Sequence, residues 1–482
     1  MMYEIRPRGE LFPSTMGQCR LWDLTNRNPG EWEDNLNSIV ALHGPFEVPI
    51  LELAVNWVLC KHSALRTVMR TRGERLIQHV RPPRFKTIRE VDLRPEHGEG
   101  NFAAAEQAVL AAIRVPFYMS HGPLWRFKLY RVAEFERLLV MTAHHIVSDG
   151  ISMSIVWADI QHAYAQFVER GQLPAPAVEP VSFGRFAQWQ GQWTAERRHT
   201  DRYRAYWAPT YSTPRPRLVF ESARTDADFE GGVMKFRLPA ELERRVREVR
   251  QAEGATNFEV TLAAYFILIF SLTGEHDISV MCPLSGRTGP HAADVVGRLI
   301  ATHLIRLRLH SGDTLSETLH TVCYRVRQVL AFQDVPFEWL GTAFGLALND
   351  RNNPLDQVRF SLEDFDAGES RLPHGGATHY EIGGHHGPRR DLSLYMRARG
   401  SQWVGTMQYN RRRFQPEDAR RIVARYCDVL LAMRDHPDAP VAQWLDDAHA
   451  YGSPRFNLAT MEVPGALYEK FTLEPYVKRD AA

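Results

Sequence analysis

The stretch that decides the fold is Met141 to Met153, "MTAHHIVSDGISM". An apolar run from Leu138 leads into it, and two adjacent histidines, His144 and His145, stand at its end. Such a run reads as a buried strand, and a strand end is a rigid place from which to project a side chain. Asp149-Gly150 is a turn signal, and Ser152 reads as the cap of a following helix. From Met153, the apolar positions Val156, Trp157, Ile160, Ala163, Tyr164 and Phe167 recur at three and four, which predicts an amphipathic helix to about Arg170. The histidines therefore lie on a strand–loop–helix junction. An imidazole titrates near neutrality, so one of them can take a proton from an amine or a hydroxyl. The other histidine and the aspartate then form the shell that orients it. A lone strand-end histidine is more often a satisfied core or rim residue. The fixed H-H-x-x-x-D-G spacing is what favours chemistry here.

Working outward, 482 residues are too many for one ordinary core, so two lobes are expected. Hydrophobic residues at 44% and charged residues at 24% suit a globular chain. A formal net charge of +1 gives no electrostatic case for nucleic acid or a membrane surface as partner. Cys19, Cys60, Cys282, Cys323 and Cys427 are scattered and form no C-x-x-C. That suggests neither a disulfide framework nor a zinc cluster, and it fits a reducing cytoplasm. The N-terminal "MMYEIRPRGELF" has no apolar core of a secretory signal. "FEVTLAAYFILIFSL", Phe258 to Leu272, is short for a membrane span and carries Glu259, so it reads as a buried helix.

"RGQLPAPAVEP", Arg170 to Pro180, is proline-rich without a period and reads as a linker. The expected organisation is an N-terminal lobe over 1–175, a C-terminal lobe over 176–449 and a tail over 450–482. A second histidine pair, His385 and His386 in "GGHHGPRRDL", precedes Asp391 in a similar way. Glycine and proline flank it and no apolar strand delivers it. It therefore reads as an exposed loop, and no local spacing supplies the third ligand that a zinc site needs.

"HHIVSDG", His144 to Gly150, resembles the signature of the condensation domains of nonribosomal peptide synthetases. These are related to polyketide-associated and chloramphenicol acyltransferases. Further stretches agree in order: "STMGQCRLW" (Ser14 to Trp22), "KHSALRTVM" (Lys61 to Met69), "SGRTGPHAADVVGRLIATHLIRLRL" (Ser285 to Leu309), "FQDVPFEWL" (Phe332 to Leu340) and "NPLDQVRFSLEDF" (Asn353 to Phe365). The resemblance covers about residues 10 to 445. It implies an α/β fold of two chloramphenicol-acetyltransferase-like lobes, each a mixed sheet with flanking helices. The lobes form a V around a central tunnel.

By the same resemblance His145 is the catalytic histidine, and His144 and Asp149 hold the motif in shape. Gly150 presents a backbone N–H near the reacting carbonyl, and Arg287 is the ion-pair partner of Asp149. Ser152, His303 and Ser361 are candidates for lining the tunnel. No bound cofactor or metal is implied. The donor is a thioester on the phosphopantetheine arm of an acyl or peptidyl carrier protein, or on coenzyme A. The acceptor is a small amine or alcohol, giving an amide or an ester. A thioester is already activated and no G-x-S-x-G elbow is present, so direct attack suffices. Basic runs at Arg81 to Glu90 and Asn410 to Phe414 could meet an acidic carrier. A free-standing, monomeric, cytoplasmic condensation enzyme of natural-product biosynthesis is the leading expectation. The alternatives are a coenzyme A-dependent acyltransferase of the polyketide-associated type and a non-catalytic recruitment domain, which usually loses the histidine motif.

Some positions depart from the family pattern. Gly17 stands where alanine is usual, Phe332 where histidine is usual, and Asp356 where an apolar residue is usual. Thr302-His303 replaces a common Asn-Thr.

Overall fold

The computed structural model describes residues 9–27, 30, 32, 34–94, 102–175, 181–213, 216–220, 230–288, 291–346, 348, 354–363, 370–373, 375–380, 390–399 and 402–444. Along the chain, β1 (Glu10–Pro13) and α1 (Met16–Arg27) precede β2 (Asn35–His43) and α2 (Val48–Lys61). A hairpin of β3 (Thr67–Arg72) and β4 (Arg75–Val80) is followed by β5 (Glu90–Asp92) and α3 (Phe102–Ile113). A second hairpin, β6 (Trp125–Ala133) and β7 (Glu136–His144), leads into α4 (Gly150–Arg170), α5 (Phe183–Ala195) and α6 (Arg197–Tyr211). Next come β8 (Gly231–Arg237), α7 (Ala240–Glu253), α8 (Asn257–Thr273), β9 (Asp277–Leu284), β10 (Ala301–Arg308), α9 (Leu315–Ala331) and α10 (Phe337–Phe344). The last elements are β11 (Val358–Glu363), β12 (Ser370–Leu372), β13 (Gly375–Tyr380), β14 (Leu392–Arg399), β15 (Gln402–Asn410) and α11 (Pro416–Asp435).

Two six-stranded mixed sheets dominate. The first runs β12-β13-β2-β7-β6-β5 and the second β10-β9-β11-β14-β15-β8, beside a small β1-β4-β3 sheet. Chain order and sheet membership differ. β12 and β13 follow β11 of the second sheet, yet β13 pairs with β2 of the first, Tyr380 opposite Ile39.

The first sheet is covered on both faces. Val40, Leu42, Leu139 and Met141 join one apolar cluster with α2 and α4. The intervening Ile39, Ala41, Leu138 and Val140 join another with α3. Strand side chains alternate between faces, so double burial demands the continuous apolar run that leads to the histidines. The second sheet is apolar on one face. Val358, Phe360, Leu392, Leu394 and Met407 pack into a core with α7, α8, α9 and α11. The alternate positions Arg359, Ser361, Glu363, Ser393 and Arg397 form a polar face. Helix α8 is the centre of that core and is buried from Glu259 through Phe270. A capping box between Thr256 and Glu259 starts it, and Gly274, at φ +64°, ends it. Among the described residues no single helix is long and apolar enough to cross a membrane.

Between β9 and β10, residues 285–288 and 291–300 leave the second core, and Ala292, Val295, Val296 and Leu299 pack on the first. Gly286 makes the turn possible. Its φ is +63°, and a Cβ there would lie 1.8 Å from the Leu299 carbonyl oxygen. The segment is pinned by Asp149, which is 1% exposed. Asp149 Oδ2 accepts from the backbone N–H of Leu299 (2.9 Å) and of Ile300 (3.2 Å). Arg287 forks onto the same carboxylate, Nη1 to Oδ2 at 3.0 Å and Nη2 to Oδ1 at 2.8 Å. Ser152 completes the arrangement. Its hydroxyl accepts from the Gly297 N–H (3.0 Å) and lies 2.8 Å from both Asp149 Oδ1 and the Gly297 carbonyl.

Asp149→Ala should therefore strand a buried guanidinium and several backbone donors, at a cost of about 3–5 kcal/mol. Urea denaturation of the variant is the measurement. Arg287→Ala should cost a similar amount, and the double variant less than the sum. A denaturation curve for Asp149→Ala that overlays the parent would remove this strut from the account.

Candidate active site

Helix α4 starts one turn earlier than the sequence pattern suggested. Asp149, not Ser152, is its N-cap, at φ −140° and ψ 178°, and accepts from the Ser152 N–H at 2.8 Å. The carboxylate wins because it has lone pairs enough to cap the helix and hold Arg287 together. Ser152 is the third residue of the helix and is fully buried. Gly150 is the first. Its N–H belongs to the first turn, whose donors the helix leaves without partners of its own.

His144 closes β7 and is buried, with its ring edge-on to Phe117. Its Nδ1 accepts from the Ile146 N–H at 3.0 Å, so the neutral ring carries its proton on Nε2. Burial pushes its pKa down to about 4. His145 turns the other way. Its N–H donates to the Asp34 carbonyl at 2.8 Å, and its Nδ1 lies 2.8 Å from the Ser148 carbonyl. A carbonyl only accepts, so Nδ1 holds the proton and Nε2 holds the lone pair. Burial first, and then the charge of Arg298, lower the His145 pKa from its usual 6.5. The ring is therefore neutral at pH 7.

The polar face of the second sheet comes up to this junction. A Cβ on Gly150 would lie 3.9 Å from Glu363 Oε1 at the end of β11. Ser361 is two residues back on the same face and is mostly buried. Glu363 is held by Arg397, whose Nε donates at 2.7 Å. His303 is elsewhere. It is fully buried, lies flat on Trp207 with ring centroids 5.2 Å apart, and donates from Nε2 to the Gln333 carbonyl at 3.1 Å. Burial lowers its pKa to about 4. It is a buried, neutral residue packed against Trp207. His385, His386, the 176–180 part of the linker and the 450–482 tail lie outside the described residues.

A polar cleft opens beside the junction. Gly17 and Arg20 of α1, Trp189 and Gln190 of α5, Arg298 to Thr302 of the crossing segment, and Gln333, Asp334 and Pro336 to Glu338 line it. Leu299 and Ile300 thus form cleft wall on one side and bond Asp149 on the other. Sequence reasoning missed Arg298 and Trp189. The available signal was the departure at Gly17, whose missing side chain leaves the space that Arg298 fills. Among the described residues no group of His, Cys, Asp and Glu could hold a metal ion.

Comparison with known proteins gives this geometry its context. The family model described as condensation domain matches residues 10–449. One of the linear gramicidin synthase proteins of Brevibacillus parabrevis is 28% identical over 439 residues, 90% of this chain but 6% of that protein. The chain thus spans a small part of this much longer relative. The solved first condensation domain of the calcium-dependent antibiotic synthetase, in complex with a substrate analogue, superposes with a TM-score of 0.77 at 19% identity. That match covers 90% of this chain and 99% of the other. The X-domain in complex with OxyB from teicoplanin biosynthesis superposes with a TM-score of 0.75 at 22% identity, covering 91% and 97%. With a family match over nearly its whole length and the two-sheet fold of the solved members, the chain belongs to the condensation-domain family.

Proposed function

We propose that this chain transfers an acyl group from a carrier-bound thioester to an amine or hydroxyl acceptor, with His145 as the group that handles the proton. The observation that carries this reading is the His145 tautomer. Nδ1 is fixed by the Ser148 carbonyl, which leaves Nε2 as a neutral acceptor at the end of a rigid strand. The acceptor lone pair attacks the thioester carbonyl and its proton moves to Nε2. The C–S bond then breaks, and the thiolate leaves with that proton as thiol. No acyl-enzyme is needed. The Gly150 N–H at the start of α4 is suited to the oxygen that gains charge, because helix-terminal amides are preorganised donors. Asp149 and Arg287 act indirectly, by holding the loop that carries His145.

The donor is read as carrier-bound because a basic surface is available. Arg81 lies with Arg70 and Arg84, whose like charges lower its pKa after burial does. An acidic carrier would relieve that repulsion. The second basic run is less free: Arg413 is 2.9 Å from Asp391 and largely buried.

Intact-mass analysis of acylated carriers with amine and alcohol acceptors tests the reaction. His145→Ala should leave the melting curve in place and lower transfer by about 10²–10⁴-fold. Turnover close to the parent's would dismiss the mechanism. The matching coenzyme A thioester, run in parallel, separates the two donor classes.

The pH profile follows from the groups around His145. Arg298 and burial favour the neutral ring, while Asp34, Asp149 and the Ser148 carbonyl favour the charged one, and the net shift is downward. A lowered pKa keeps the base form populated below the usual 6.5. With an acceptor that does not itself titrate, kcat/KM should be flat above pH 6.5 and fall on an acid limb centred below it. A limb centred above pH 7 would contradict this environment.

A further inference from the structure

Arg20, Arg298, Asp334 and Glu338 are the charged residues that line the cleft, and they are not paired evenly. Arg20 lies 3.7 Å from Glu338 and donates to the Leu348 carbonyl at 2.9 Å. Asp334 accepts from the Tyr203 hydroxyl. Arg298 is different. It lines the cleft, yet its guanidinium makes no hydrogen bond or ion pair among the described residues, and its Nε is buried without a partner. Glu338 is near both cations, since a Cβ on Gly17 would also lie 3.7 Å from its Oε1, but it is paired with Arg20, and Arg298 keeps its donors for an anion that arrives. The chain also keeps a seat open for it: a Cβ on Gly17 would lie 2.2 Å from Arg298 Nη1. An alanine there would push the guanidinium aside. The same cation is the largest electrostatic influence depressing protonation of His145. Its neighbours Leu299 and Ile300 bond Asp149, so Arg298 stands beside the loop that carries His145.

We propose that Arg298, seated over Gly17, binds a carboxylate carried by one of the two substrates. The proposal rests on the transferase reading and refines its substrate class. The planar guanidinium offers its two Nη groups in a fork that matches a carboxylate. The acyl carbon that reacts is a thioester and carries no charge, so the carboxylate is a second one. It belongs either to an acceptor with a free acid group or to the far end of a diacid acyl chain.

Binding is measured first, because it does not depend on turnover. Succinate and its neutral diamide are titrated into the full-length chain by calorimetry. Succinate should bind roughly tenfold or more tightly than the diamide, as a charge-assisted pair predicts. Arg298→Met and Gly17→Ala should both abolish the difference. Arg298→Met should also leave the melting temperature unchanged or raised, since it breaks no bond within the protein. Equal binding of the two probes, or a preference that survives in Arg298→Met, overturns the site. So does a melting loss like that of Arg287→Ala, which would make Arg298 structural.

Matched transfer assays then locate the carboxylate. Glycine against glycinamide reports on the acceptor, and succinyl against butyryl thioesters of N-acetylcysteamine report on the donor. The acid form should be preferred on one side. No preference on either side counts against the proposal. Absence of all transfer counts against the transferase reading instead, and leaves the binding result to stand by itself.

Discussion

The carboxylate of Asp149 is the constraint on which the rest depends. It is buried and charged, and such a group persists only when every lone pair is used. Its donors come from three places: the first turn of α4, the Arg287 guanidinium, and the backbone of Leu299 and Ile300. Meeting all of them at once requires residues 285–288 and 291–300 to leave the sheet they are threaded through and lie on the other one. The loop from His144 to Ser148 is then closed between a strand end and a capped helix. His145 inherits a fixed ring orientation from that closure. The cleft wall is formed by the other side of the same segment, so one ionic contact sets both the His145 ring and the surface beside it.

The two large sheets have different chemistry because they are covered differently. Burial on both faces makes the middle of β2, Ile39 to Leu42, and of β7, Leu138 to Met141, continuously apolar. An apolar core on one face alone gives β11 and β14 alternating character, with Ser361, Glu363 and Arg397 on the polar side. The site lies where these two kinds of surface meet, with Glu363 near the start of α4. A histidine delivered by the dry sheet is thereby placed against the polar face of the other.

Local pattern revealed those parts of the fold that local pattern determines. The apolar run of β7, the period of α4 and the all-round burial of α8 each follow from spacing within one element. What resisted reading involves distant partners. Arg287 and Asp149 are 138 residues apart, and no periodicity joins them. Asp149 displaced Ser152 as the helix cap because of donors supplied from that distance. His303 looked like a polar residue on a half-buried strand. Trp207, on α6, decided its burial. "GGATHY" has no apolar run, so nothing local marked β13 as the neighbour of β2 in the first sheet.

The departures from the family pattern are the informative remainder. Phe332 is absorbed by aromatic packing: Tyr206 stacks on it at 4.0 Å and Arg202 lies over the ring at 4.8 Å. Asp356 is absorbed by charge, with Arg390 Nη2 donating at 2.7 Å and Arg359 at 3.6 Å. Each of these exchanges is closed inside the fold, so each is adequately explained by packing or pairing. Gly17 and Arg298 are not closed in this way. Removing a side chain at one position made room for a cation at the other, and that cation makes no hydrogen bond or ion pair among the described residues. Fold stability alone favours filling such a space with carbon. A cation kept there, beside a histidine whose protonation it opposes, is accounted for by a charge that arrives with a substrate and leaves with the product.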